Sequence, residues 1–116
     1  MTIVRHADQP ETDGYRQIIG KATGAHATTL WDQTLPPDAV IASHYHECEE
    51  TLTFLSGPVE VIINGETFLV EANSSVFIPA QTVHQVRNVA EGEVRLLAFF
   101  PTIEPRVVAS SLPPPP

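Results

Sequence analysis

"SHYHECEETLTFLSG", residues 43–57, sets His44 and His46 one position apart, crowds Glu47, Cys48, Glu49 and Glu50 behind them, and then runs apolar to Gly57. On a strand the side chains alternate, so the two imidazoles share a face and Tyr45 points to the other. Paired imidazoles are a metal-ligand pattern; the competing reading is a polar strand face on which two histidines sit. A straight continuation would leave Glu50 on the same face but about 13 Å past His46, at roughly 3.3 Å per residue. One ion cannot span that, since its ligand atoms sit at about 2.0–2.2 Å. The chain is therefore expected to turn at residues 47–49 and bring Glu50 back beside the histidines at the head of the next strand, residues 51–55. Glu47 and Glu49 then fall in the turn as solvated charges, with Glu49 the alternative ligand. A further ligand is offered by "IPAQTVHQVRN", residues 78–88, where His84 opens a strand after a proline-bounded turn. A sheet closed into a barrel would set it opposite the pair.

Working outward, the remaining signals are also for strands, and no run of eleven or more residues carries a helical stripe. "YRQIIG" from Tyr15 and "HATTLWDQTL" from His26 are β-branched and aromatic runs closed by Gly20 and by Pro36 and Pro37. In "VEVIINGETFLV" the dipeptide Asn64-Gly65 favours a type I′ hairpin turn, which pairs Val61 with Phe68 and Val59 with Val70. "SVFIP" from Ser75, "VHQVRNV" from Val83 and "VRLLAFFP" from Val94 bring the expected total to roughly eight strands. The last is apolar at both phases of the alternation and is expected to be buried on both faces. The fold class is thus all-β, one domain of jelly-roll β-barrel type over about 15–101. Residues 1–14 read as an N-terminal extension. The tail 102–116 ends in four prolines, which favour an extended polyproline conformation, and reads as a solvated end with no part in chemistry. Its alternative reading is that "PRVV" adds an edge strand to a partner subunit.

Composition narrows the function. A chain of 116 residues with 42% hydrophobic content can bury a core without staples. Six basic residues against 14 acidic ones give a net charge of −8, which repels phosphate backbones and anionic lipid surfaces. Neither nucleic acid nor membrane is expected as a partner. A single cysteine makes no internal disulfide, and "MTIVRHADQPETDG" has no apolar signal-peptide core, so a cytoplasmic protein is expected. Cys48 lies among three glutamates, a setting that opposes a reactive thiolate. Trp31, Phe54, Phe77 and Phe99 are candidates to line a substrate pocket, with plain core packing as the alternative. Arg87 should face away from His84, Val86 and Asn88, and Arg95 reads either as a partner for a substrate carboxylate or as half of a surface ion pair.

The spacing of these residues resembles the two motifs of the cupin superfamily. The first motif is glycine, five residues, His-x-His, three or four residues, glutamate, six residues, glycine; His44, His46, Glu50 and Gly57 fit it, with Asp38 in the first glycine position. The second is glycine, five residues, Pro-x-Gly, two residues, histidine, three residues, asparagine; Pro79, His84 and Asn88 fit, with Asn73 and Gln81 in the glycine positions. Fifteen residues separate Gly57 from Asn73, similar to small bacterial members. All three departures are at turn glycines, and of the residues present Asn73 tolerates the left-handed region best.

The resemblance implies one divalent metal held by His44, His46, Glu50 and His84, with iron or manganese favoured and nickel, zinc or copper possible. It implies a homodimer formed through the early strands and a small-molecule ligand or substrate. Three imidazoles and one carboxylate leave open positions on a six-coordinate ion. A metal-dependent enzyme is therefore the leading expectation, dioxygenase-like or isomerase- or cyclase-like, an oxygenase, isomerase, lyase or cyclase. The alternative is a noncatalytic module that binds or senses a small ligand or metal.

Overall fold

A computed structural model describes residues 1–110 of the chain. Among the described residues eleven strands run in the order β1 (Glu11–Thr12), β2 (Tyr15–Ile19), β3 (Thr29–Leu35), β4 (Val40–Tyr45), β5 (Glu50–Phe54), β6 (Val59–Ile63), β7 (Glu66–Val70), β8 (Ser74–Ile78), β9 (His84–Asn88), β10 (Val94–Phe100) and β11 (Val108–Ala109). The only helical pieces among the described residues are two three-residue 3-10 turns, His6–Asp8 and Lys21–Thr23, and no helix is long and apolar enough to cross a membrane. The chain is all-β and makes two antiparallel sheets, ordered β1-β2-β3-β10-β5-β8 and β11-β4-β9-β6-β7. Core side chains fill the space between them: Leu35, Leu52, Phe54, Val59, Val61, Ile78, Val86, Val94, Leu96, Ala98 and Phe100 form one buried cluster.

The hairpin register follows from its turn. Asn64 and Gly65 both have positive φ, 50° and 80°, and the strands they join pair Val59 with Val70 and Val61 with Phe68. The three glycine-for-other-residue departures also keep the backbone of a glycine. Asp38, Asn73 and Gln81 sit at φ of 64°, 61° and 60°, so each carries a side chain through the left-handed region. Gln81 is the most costly of the three by residue type, is exposed, and contributes its backbone amide to the His46 carbonyl at 2.7 Å. Gln81→Gly keeps that bond and relieves the Cβ. The relief exceeds the extra unfolded-state entropy of glycine, so a gain of about 0.5 kcal/mol is expected, seen as a raised midpoint in thermal unfolding. Gly57 is needed for another reason: a Cβ there would meet the backbone of Val70 and Ala72 at 3.2 Å.

Three expectations are corrected. β10 is buried on one face only: Val94, Leu96, Ala98 and Phe100 point into the core, while Arg95 and Phe99 point out and Leu97 is half-buried. As the strand between β3 and β5 it has neighbours on both edges, but only one of its faces has a sheet packed on it. The N-terminal residues 1–14 are not a simple extension. β1 pairs with β2, and His6 lies against the outer face of the larger sheet, where Asp32 accepts from Arg95 at 3.0 and 2.7 Å and meets the His6 ring at 2.6 Å. The Arg95 hydrogen bonds hold Asp32 below the usual carboxylate range, and Arg95 is thereby committed to an ion pair. The tail is corrected as well, since Val108 and Ala109 pair with Tyr45 and His44 of the same chain instead of ending in solvent or crossing to a partner. The prolines at 113–116 lie outside the described residues.

Candidate metal centre

Three strands, β4, β5 and β9, bring together the four residues expected as ligands. His44 is on β4 and His46 just past its end; Glu50 opens β5; His84 opens β9 and pairs directly with His44. β4 and β5 belong to different sheets, so the turn at 47–49 is a crossing from one sheet to the other, and this is what folds Glu50 back over the histidines. A register shift between Ile41 and His44 adjusts β4 against β9 at the point where the imidazoles enter the interior. All four residues are buried, and their ligand atoms lie within 4.8 Å of one another, the one such group among the described residues. His84 Nε2 is 3.0 Å and His46 Nε2 3.6 Å from Glu50 Oε1. Glu47 and Glu49 are exposed, which separates Glu50 from its sequence neighbours.

The tautomers are set by carbonyls. His44 Nδ1 donates to Ala42 O at 2.7 Å, His84 Nδ1 to Thr82 O at 2.8 Å and His46 Nδ1 to Arg106 O at 2.9 Å. With the proton on Nδ1, each Nε2 presents a lone pair inward. His46 Nε2, His84 Nε2 and Glu50 Oε1 are buried without a hydrogen-bond partner, so lone pairs converge on a point with no donor to satisfy them. A cation answers that deficit, and a set of three imidazoles and one carboxylate suits a first-row divalent ion. The residues fit the metal. Burial pushes the His44 and His46 imidazoles below their usual 6.5, with added repulsion from the neighbouring histidines. Protons therefore compete at these two ligands only at lower pH than at a free imidazole. In metal-free protein the ring resonances of His44 and His46 should titrate below pH 6.5, and a midpoint above that value would contradict the burial.

A cavity of about 270 Å³ leads to this group. Ile41, Leu52, Val86, Val107 and Ala109 make its walls apolar, and Tyr15 and Trp31 make one side aromatic, their ring centroids 4.6 Å apart. Trp31 and Phe100 also pack against the His46 ring at 6.5 and 4.8 Å. Of the aromatics singled out in the sequence, Trp31 lines the cavity. Phe54 does not: it is fully buried between the sheets, and Phe77 and Phe99 are 57% and 43% exposed on the outer side of theirs. Sequence reasoning missed Tyr15, Gln33, Asp13 and Ser43, which supply polar groups to the lining, and Val107 and Ala109, which come from the tail. Cys48 is outside it, its thiol pushed up by burial and by the surrounding glutamates. Asn88 is structural: wholly buried, its amide donates to Leu35, Pro36 and Gly92 carbonyls and its oxygen accepts from Ala90.

Comparison with known proteins places this geometry. A polyketide synthase, CurC, from Streptomyces cyaneus is 32% identical over 71 residues, covering 60% of this chain and 46% of its own length. Auxin-binding protein 1 of Arabidopsis thaliana is 30% identical over 87 residues, 66% of this chain and 43% of that protein. The chain thus spans less than half the length of these curated relatives. Among solved structures, the polyketide cyclase RemF of Streptomyces resistomycificus superposes with a TM-score of 0.80 at 23% identity, over 97% of this chain and 87% of that one. The family model described as "Cupin domain" matches residues 31–100, from the cavity tryptophan to the end of β10, with all four converging residues inside the match, and the chain belongs to the cupin family.

Proposed function

We propose that this protein is a cytoplasmic metal-dependent enzyme of jelly-roll cupin type, holding one divalent ion with His44, His46, Glu50 and His84 and acting on a compact, uncharged small molecule that carries an oxygen donor. The observation that carries the reading is the donor-free convergence of buried lone pairs at the end of an apolar cavity. A bound ion would act as a Lewis acid toward an oxygen of the substrate. The protein does the rest. Nδ1 bonds to three carbonyls hold the imidazoles in place, apolar walls exclude water, and the Tyr15–Trp31 pair offers a flat face for a ring. Tyr15 and Gln33 bring a hydroxyl and an amide to the lining, and both can orient a ligand oxygen. The lining holds two carboxylates, Asp13 and Glu50, and no lysine or arginine, which disfavours an acidic substrate.

Similarity to a polyketide synthase and a polyketide cyclase supports an isomerase- or cyclase-type reaction on an oxygenated ring over a dioxygenase-type one. The second reading, a noncatalytic ligand-binding module, draws its support from the auxin-binding relative. Metal content per chain in the purified protein, followed by titration with hydroxylated one- and two-ring aromatics, tests both. Trp31, the only tryptophan, reports binding by fluorescence and mass spectrometry reports conversion. Conversion supports the enzyme; binding with no product under any of iron, manganese, nickel, zinc or copper selects the module; no stoichiometric metal rejects the site. A homodimer through the early strands is part of the proposal, and light scattering that finds a monomer at micromolar concentration counts against it.

A further inference from the structure

Two of the three imidazoles are oriented locally and one is not. His44 and His84 each donate Nδ1–H to the carbonyl two residues earlier in their own segment. His46 donates to Arg106, 60 residues away, in a segment that the four-ligand pattern does not include. That segment crosses the site. It leaves the larger sheet where Thr29 Oγ1 donates to Thr102 O at 2.6 Å, and β11 then pairs with β4 beside His44 and Tyr45. The Ser110 amide donates to Ser43 O at 3.2 Å, and Val107 and Ala109, one residue either side of Val108, line the cavity. The Arg106 guanidinium reaches Glu47 in the crossing turn at 2.8 Å, so the same residue holds His46 and its neighbour.

Resting on the metal site proposed above, we propose that residues 102–110 are a strap whose docking is coupled to metal occupancy, with Arg106 as the positioning residue that acts through His46. The physical link is one imidazole with two ends. The docked Arg106 carbonyl holds the His46 ring with Nε2 turned toward the ligand group, and an ion held there would strengthen donation from Nδ1–H to that carbonyl. Coupling of this kind is reciprocal: if the strap raises metal affinity, metal must tighten the strap by the same factor. The strap is suited to respond because it is held lightly. Its strand has two residues, Val107 and Arg106 are exposed, and an exposed ion pair contributes little by itself.

The full-length chain tests this with Co²⁺ as the probe, its ligand-field absorption reporting the coordination sphere. Hydrogen exchange of a peptide spanning residues 102–110 should slow about tenfold or more when the protein is loaded, while a peptide spanning β7 should not change. Val108→Pro, which removes an amide hydrogen from the ladder to β4, should weaken Co²⁺ binding by about 10–100-fold, the usual effect of losing an outer partner of a ligating histidine, and should shift the absorption bands. Arg106→Glu should weaken it by a few-fold, and the charge swap Glu47→Arg with Arg106→Glu should restore it. Arg87→Ala, which breaks a comparable exposed pair with Asp38, should have no effect. Wild-type affinity in Val108→Pro, or exchange in the strap that ignores Co²⁺, overturns the coupling while leaving the metal site standing. If Val108→Pro does not fold, the exchange experiment on the unaltered chain decides. A wild-type protein that takes up no Co²⁺ overturns the metal reading and this proposal together.

Discussion

Replacing His84 by alanine is expected to abolish stoichiometric metal while the protein stays folded. In the proposed site His84 faces the His44 and His46 pair across the sheet, with its Nε2 3.0 Å from Glu50 Oε1, so its loss would remove a donor that no neighbour can replace. The affinity should fall by more than the roughly 10–100-fold that loss of an outer partner costs. Stability should change far less, because the His84 side chain makes a single hydrogen bond, to Thr82 O, and the cluster around Phe54, Leu96 and Phe100 is untouched. Metal per chain and the unfolding midpoint of the metal-free protein measure the two effects separately. Glu50→Gln should also weaken binding, since it removes the single charged donor at nearly constant shape, whereas Glu49→Gln should not, because Glu49 is exposed in the crossing turn. The opposite pattern for the two glutamates would mean that the turn has been misread. Retention of metal in both His46→Ala and His84→Ala would mean that the histidines merely share an interior.

The convergence of His44, His46 and Glu50 was legible from distance, and His84 joined them through the motif spacing. Period two put His44 and His46 on one face, and reach then required a turn before Glu50; the structure supplies it as a change of sheet. The hairpin at Asn64-Gly65 was legible for a similar reason, since its turn chemistry leaves one register. Positions 38, 73 and 81 keep left-handed backbones without glycine, so spacing described the turns better than residue identity did. The tail was not legible. β11 is two residues long and follows Pro105 by three positions, and the bonds that define its role are to residues some 60 positions away, which no local pattern records. Nor did the aromatics announce their faces: "AFF" at 98–100 is apolar in both phases, and only the pairing of β10 with β3 and β5 settles that Phe100 goes in and Phe99 out.

Phe54→Ala should be among the most destabilising single changes in the chain, at about 3–5 kcal/mol. The phase of β5 explains why. Glu50 points inward to the ligand group, so Leu52 and Phe54 point inward too, and Phe54 lands at 0% exposure in the middle of the buried cluster. Its strand has neighbours on both edges, β10 and β8, so the surrounding backbone cannot collapse into the space a benzyl group leaves. Against a typical domain stability of roughly 5–15 kcal/mol, that loss consumes a large share, and it should appear in urea as a lowered midpoint at unchanged slope. Phe77→Ser, at an exposed position on the neighbouring strand, should fall within about 0.5 kcal/mol of wild type. The two phenylalanines share a residue type and a sheet, so a cost for Phe54→Ala no greater than for Phe77→Ser would refute the facing of β5, and with it the inward path of Glu50. Metal uptake provides the other half of the test. Phe54 lies four residues along the strand from Glu50, about 13 Å at strand rise, so the fraction of Phe54→Ala that remains folded should bind metal as tightly as the wild type.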